Sequence, residues 1–293
     1  MRPYWTNTHL FIKGAARFND LVYFAVNQKD LEAIDIQHSI FIAWDRGEWF
    51  QEEHVNWNCI GMCVVQKPLD KLISISEEGD IWTYVGGKKT TENILPEPKS
   101  IRNICTIEGY AYACGMNRQV FKRVGEDQWD IMHATLSDNE SNKGFEDIDG
   151  FSQFDIYAVG WGGEIWNYNG SKWIQADSPT NLILTCVLCA PDGNVYIGGR
   201  QGTIIKGKGN QWDLINIEDF TKDIWDFTFF EGKVYFSTMN ALYILDESGV
   251  SAVDFEDDFP LTCYQLTQAE DTLWSIGTSD VFSFNGNIWT RIE

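Results

Sequence analysis

Along most of the chain apolar and polar residues alternate, in runs of four to eight separated by glycine, asparagine and aspartate. The clearest stretch, FDIYAVGWGGEIWNYNGSKWIQ, begins at Phe154. It reads as an apolar strand ending at Gly160, a short loop, the alternating strand IWNY, a turn at Asn169-Gly170 and a last strand carrying Trp173. Alternation puts successive side chains on opposite faces, so each run has one side for a core and one for water. Asn-Gly between two such runs predicts a tight type I′ hairpin, whose two central residues both need positive φ. GNVYIGGRQGTIIKGKGNQWDLI repeats the pattern, and DTLWSIGTSDVFSFNGNIWTRI repeats it again.

Taking one apolar marker from the IWNY-type strand gives Phe41, Trp82, Phe121, Trp166, Ile205, Tyr243 and Phe282, at intervals of 41, 39, 45, 39, 38 and 39 residues. The long interval contains the polar insertion SDNESNKG, residues 137–144. A Trp follows the marker at Trp49, Trp129, Trp173, Trp212 and Trp289, with Thr91 and Val250 near its place in the other two units. Each unit holds four short strands; in the fifth they are LILTCVLC, NVYIGG, TIIKG and QWDLI. Four strands per ~40 residues is the arithmetic of a β-propeller blade. One blade cannot bury both of its faces alone, and stacking buries them with large aromatics between the sheets. Two β-sandwiches would give no fixed period. The expected fold is all-β: a single seven-bladed β-propeller domain over 1–293, four antiparallel strands per blade, with blades at roughly 10–53, 54–95, 99–135, 144–177, 182–217, 222–256 and 260–293.

The unit YAVG-W-GG-E-I-W-N-Y-N-G-S-K-W resembles the repeat of bacterial BNR-like and WD40/YVTN-like propellers. It lacks the Gly-His and Trp-Asp pairs of true WD40 repeats and the Ser-x-Asp-x-Gly-x-Thr-Trp box of sialidases. The resemblance implies the propeller fold and no particular activity.

The chain has 293 residues, 44% of them hydrophobic and 14% aromatic, which is too apolar for disorder. Its 22 Lys+Arg against 43 Asp+Glu leave a net charge of −21. Nucleic acid and anionic membranes are poor partners for such a chain, since both are bound by clustered Lys and Arg. A basic protein is a good one. The N-terminal sequence MRPYWTNTHLFIKG has no apolar core of the kind a signal peptide needs, and no apolar run reaches ~20 residues, so a cytoplasmic location is expected.

The seven cysteines, at 59, 63, 105, 114, 186, 189 and 263, are odd in number and six lie in apolar runs. They read as small buried hydrophobes rather than as a disulfide framework or a metal site. Cys63, Cys186 and Cys263 each precede their unit's marker by 19 residues, a shared position expected on the innermost strand. The Cys186–Cys189 CxxC falls within a strand, where i and i+3 point to opposite faces.

None of the four histidines pairs at i+2 or i+4, and His38 and His54 are expected in or near loops. No catalytic motif for hydrolysis, phosphate binding or calcium binding occurs. Gly160-Trp-Gly-Gly163 joins two strands and reads as a turn. The acidic stretches Asp254–Asp258 and Asp138–Glu140 read as solvated loops, for they lack the ligand spacing of a calcium loop. No metal, cofactor or catalytic residue is assigned.

Propeller loops fall into two classes. The connections between blades share one side with the loops between second and third strands. That class collects 22 acidic and six basic residues, or −16 of the total −21. Such a surface steers an oppositely charged partner, and it also keeps a Trp-rich protein in solution. The expected partner-binding residues are Glu52, Glu53, Glu77, Glu78, Asp80, Trp161, Glu164, Glu218, Asp219, Asp257 and Asp258. The expected function is capture of a basic protein by a chain that is monomeric on its own, with an immunity protein neutralising a bacterial toxin as the concrete form. The alternative is a carbohydrate-binding or hydrolytic site in the central funnel.

Overall fold

The computed structural model describes residues 4–135 and 142–293. Seven sheets, each a meander of four consecutive antiparallel strands, make the protein a seven-bladed β-propeller. The blades span 9–55, 59–93, 101–131, 145–176, 184–214, 226–252 and 265–291. Helix among the described residues is limited to single turns at Lys29–Glu32, Trp5–Asn7, Trp161–Gly163 and Arg200–Gly202. The insertion residues 136–141, with the expected acidic loop at Asp138 and Glu140, lie outside the described residues. The chain divides into two compact units, one of Met1–Cys59 with Thr228–Glu293 and one of Ile60–Phe227.

In the second unit, apolar layers separate successive blades. Val65, Ile73, Ile75, Ile104, Ala113 and Phe121 meet between the second and third blades, with Trp129 packed against them. Tyr112, Phe145, Ile148, Ile156 and Trp166 fill the next layer with Trp173. Val159, Leu184, Val187 and Ile197 fill the one after with Trp212. The first unit has two equivalent layers. Phe11, Phe24, Ile42 and Trp274 join the first and last blades with Trp49; Phe230, Tyr235, Cys263 and Phe282 join the sixth and seventh with Trp289. The recurring Trp of the fourth strand is thus an inter-blade filler, and each one packs toward the blade before its own.

The first strands need a further device, because one edge of each lacks a partner strand. Side chains of neighbouring first strands supply the missing bonds. In the second unit, Asp147 and Asp149 on Phe145–Ser152 accept the backbone N–H of Val187 and Cys189, each at 2.7 Å. Asn103 donates to Asp147 at 2.6 Å and Thr106 to the carbonyl of Val64 at 2.9 Å. In the first unit, Gln265 accepts the Gly14 N–H at 2.9 Å and donates to its carbonyl at 3.1 Å, while Thr267 accepts the Ala16 N–H at 3.1 Å. The first and last blades therefore meet without exchanging a strand: His9–Phe18 is the first strand of the first blade, and the Thr6 N–H donates to the Glu293 carboxylate at 3.0 Å.

The Asn-Gly hairpins form with a different turn from the one expected. Gly170 and Gly286 take positive φ, at 89° and 87°, but Asn169 and Asn285 do not. Each Asn side chain instead accepts N–H groups two and three residues on, from Ser171 and Lys172 and from Asn287 and Ile288. These Asx turns lengthen the loop. Paired positive φ values occur at Arg46-Gly47, Gly86-Gly87, Glu108-Gly109 and Glu231-Gly232.

All seven cysteines are free. Cys59, Cys63, Cys105, Cys186 and Cys189 lie on first strands, Cys263 two residues before one, and Cys114 on a second strand. Burial pushes the Cys63 and Cys263 thiols up to about 12, which suits packing and not thiolate chemistry.

Trp173 donates its indole N–H to the Met132 carbonyl at 2.6 Å as well as packing in its layer. Trp173→Ala is expected to lower unfolding free energy by about 3 kcal/mol, the lower range for losing a large aromatic, measured by urea denaturation.

Candidate functional site

Most of the candidate residues stand in the loops between second and third strands and in the connections between blades. In the second unit, Glu77 and Glu78 are exposed in the loop after Lys71–Ser76. The Ser100 hydroxyl donates to the Glu77 carboxylate, and the Glu78 N–H donates to Ser76. Asp80 opens the following strand, half-buried, and accepts from Asn93 at 2.8 Å. Glu218 and Asp219 are exposed in the connection between the fifth and sixth blades.

Trp161 and Glu164 sit at the second loop of the fourth blade, and there the structure changes the expectation. Trp161 is half-buried, its indole N–H donating to Glu146. Glu164 is buried: Arg118 grips it with two bonds at 2.8 and 2.7 Å, the Trp166 indole donates to it at 3.0 Å, and Lys143 lies 3.4 Å away. The Arg118 guanidinium lies 4.9 Å over the Trp166 ring and also donates to the Thr135 carbonyl. Glu164 is therefore a strut between the third and fourth blades and not an exposed contact, and Arg118 is no surface base. Asp147 is buried in the first-strand network.

In the first unit, Glu52 and Glu53 lie on the strand Glu48–Val55 rather than in a loop, both half-buried. The pairing runs on past a bulge, with Phe41 opposite Glu53 and Ser39 opposite Val55. His54 is on the same strand. His38 is buried and its ring holds backbone: Nε2 accepts the Gln28 N–H at 2.6 Å and Nδ1 donates to the Ile36 carbonyl at 2.7 Å. Asp257 and Asp258 are exposed in the connection between the sixth and seventh blades, where Arg291 donates to Asp258 at 2.8 Å. Asp280 is buried against Arg291.

Glu77, Glu78, Glu218, Asp219, Asp257 and Asp258 thus stand on separate exposed loops, Glu52, Glu53 and Asp80 lie on strands, and Glu164 is withdrawn from solvent. Sequence reasoning missed the exposed Met239, Phe259 and Leu261 of the first unit. The available signal was Phe-Pro-Leu directly after an acidic run. No group of three His, Cys, Asp or Glu that could hold a metal occurs among the described residues.

The immune protein Tsi7 of Pseudomonas aeruginosa is 37% identical over 296 residues, covering 96% of this chain and 96% of Tsi7. The chain belongs to the Tsi7 family. No protein-family model matches it. Solved propellers share its fold at lower identity. The WD40 propeller domain of Doa1 gives a TM-score of 0.70 at 10% identity, covering 97% of this chain and 92% of that one. YCF48 bound to D1 peptide gives 0.68 at 13%, covering 92% and 90%. Virginiamycin B lyase from Staphylococcus aureus gives 0.65 at 15%, covering 80% and 83%. The Tsi7 likeness runs along nearly the whole of both chains.

Two carboxylates should report on pH with opposite signs. Burial pushes Asp149 up to about 7, against the pull of its bonds from Cys189 and Gly150. Its contribution to stability is full below the unfolded value near 4 and is lost as pH rises through about 7. Asp149→Asn should flatten that decline in urea unfolding between pH 4 and 8. Burial also pushes Glu164 upward, but the bonds from Arg118 and Trp166 and the charges of Arg118 and Lys143 outweigh it and hold the carboxyl below its ordinary value. Its contribution is present above the unfolded value, about 4.5, and is lost as pH falls through the lower folded one. Glu164→Gln leaves Arg118 buried without its counter-ion and should cost about 3 kcal/mol at pH 7.

Proposed function

We propose that this protein is an immunity protein that sequesters a cationic protein toxin by binding and without catalysis. The observation that carries the reading is its kinship with the immune protein Tsi7 over 96% of both chains. The net charge of −21 supports the finer part, a basic partner. Exposed Glu77, Glu78, Glu218, Asp219, Asp257 and Asp258 stand on loops, where a recognition surface varies without disturbing the blades. Glu52, Glu53, Asp80 and Trp161 are half-buried and flank such contacts, and Glu164 acts from behind by holding Arg118. A surface of one sign raises the on-rate of an opposite partner, and a stable complex buries about 1,600 Å² in total. The chain works as a cytoplasmic monomer until the toxin arrives.

Deleting the gene from its own strain and growing the mutant in contact with the parent tests this. The mutant is expected to be killed, and a plasmid copy to restore it. The attacker gene whose removal abolishes killing then names the toxin. A mutant that survives contact as well as its parent would overturn the reading. With that toxin purified, Glu77→Lys with Glu78→Lys should slow association about tenfold at low salt, by stopped flow. The difference should vanish near 0.5 M salt, where the Debye length is about 4 Å.

A further inference from the structure

The connection between the sixth and seventh blades presents large apolar side chains to water from a stiff backbone. Phe259 and Leu261 are 65% and 68% exposed on either side of buried Pro260. Met239, 57% exposed, stands on the loop between the second and third strands of the sixth blade. The Cys263 N–H donates to the Met239 carbonyl at 2.8 Å and ties the two loops together.

Both flanks of Phe259–Leu261 are pinned. Before it, Phe255 is buried against Trp289, with ring centroids 4.6 Å apart, and against Phe282 at 5.3 Å. Beyond it, the buried carboxylate of Asp280 accepts the N–H groups of Leu261 and Thr262 at 2.8 and 3.0 Å. Arg291 reaches across to the Asp258 carboxylate at 2.8 Å and the Phe259 carbonyl at 3.1 Å, and pairs with Asp280 as well. A loop fixed this way has little backbone freedom left to lose on binding. Exposed apolar groups rimmed by charge mark protein-binding sites, and anchors of this kind carry most of the binding energy of an interface. Here the rim is acidic. Asp254, Glu256 and Asp257 are exposed, while Asp258 is paired with Arg291.

We propose that Met239, Phe259 and Leu261 form the anchor on which the toxin docks. The charge of the rim specifies the complementary surface: an apolar cleft bordered by lysine and arginine. This rests on the immunity reading, and it assigns the apolar loop a part that charge alone does not give it. Acidic residues around the anchor bring the partner in, and the apolar residues hold it.

The test uses the full chain and the toxin identified by the killing assay, purified with its activity disabled. Surface plasmon resonance should show Phe259→Ser with Leu261→Ser weakening affinity about 100-fold, tenfold per anchor and mostly through faster dissociation. Asp254→Asn, Glu256→Gln and Asp257→Asn together should slow association several-fold at low salt, with little change in dissociation. Ile288→Ser removes a side chain 64% exposed in a loop of the other class and should leave affinity unchanged. A photo-reactive phenylalanine at 259 should cross-link to the toxin, and one at 288 should not, which reads the contact without removing apolar surface. If Phe259→Ser with Leu261→Ser binds as well as wild type, or residue 259 fails to cross-link in the complex, the anchor is overturned and the immunity reading stands. If the wild-type chain does not bind the toxin, both fall.

Discussion

The unpaired edge of the first strand in each blade is the constraint on which the rest of the architecture depends. A four-stranded meander satisfies its inner hydrogen bonds and leaves donors and acceptors at its rims. At the crowded first strands no further strand is added, and short polar side chains complete the pairing. Asp147, Asp149 and Thr106 do this in one unit and Gln265 and Thr267 in the other. These bonds set how far one blade is shifted against the next, and the apolar layers then fill the remaining space. The raised proton affinity of Asp149 follows, since a carboxylate placed there gives up water for two backbone amides.

Where a blade lacks the packing tryptophan, the interface finds another solution. The fourth strand of the second blade has Thr91 at that place, with buried Glu92 beside it. Arg123 of the third blade binds Glu92 through two bonds at 2.8 and 2.7 Å, and Lys71 lies 3.4 Å away. A buried ion group adds little net stability compared with apolar packing, but each of its bonds has one geometry. Arg118 and Glu164 repeat the device one blade on, with the tryptophan retained. Fit between these blades is thus directional as well as steric.

The repeat was legible in the sequence because packing between blades demands the same large residue at the same place, and Trp129, Trp173 and Trp212 stand there. The strand count followed from alternation. Turn type was not legible, because Asn-Gly serves both a two-residue hairpin and an Asx turn, and the side-chain bond of Asn169 decides between them. Charge alone could not separate Glu164 from Glu78: their burial differs because Arg118, 46 residues away, reaches only one of them. Phe259 and Leu261 follow an acidic run in the sequence, and the tertiary pins at Phe255, Asp280 and Arg291 hold them in the exposed position.

Each packing tryptophan faces the blade that precedes its own, and every blade is one unbroken run of chain. On the ribosome this sets an order. Trp129, Trp173, Trp212 and Trp289 each emerge after the surface that receives them has been made, so those layers can seal as synthesis proceeds. Trp49 is the exception. Its layer is completed by Trp274, Ile276 and Val281 of the last blade, more than 200 residues later, and until then only residues of its own blade, Phe11 and Phe24, lie against it. The nascent chain carries an open seam throughout its synthesis, and that seam is the part of the molecule most exposed to misassociation and to chaperones before the first and last blades meet.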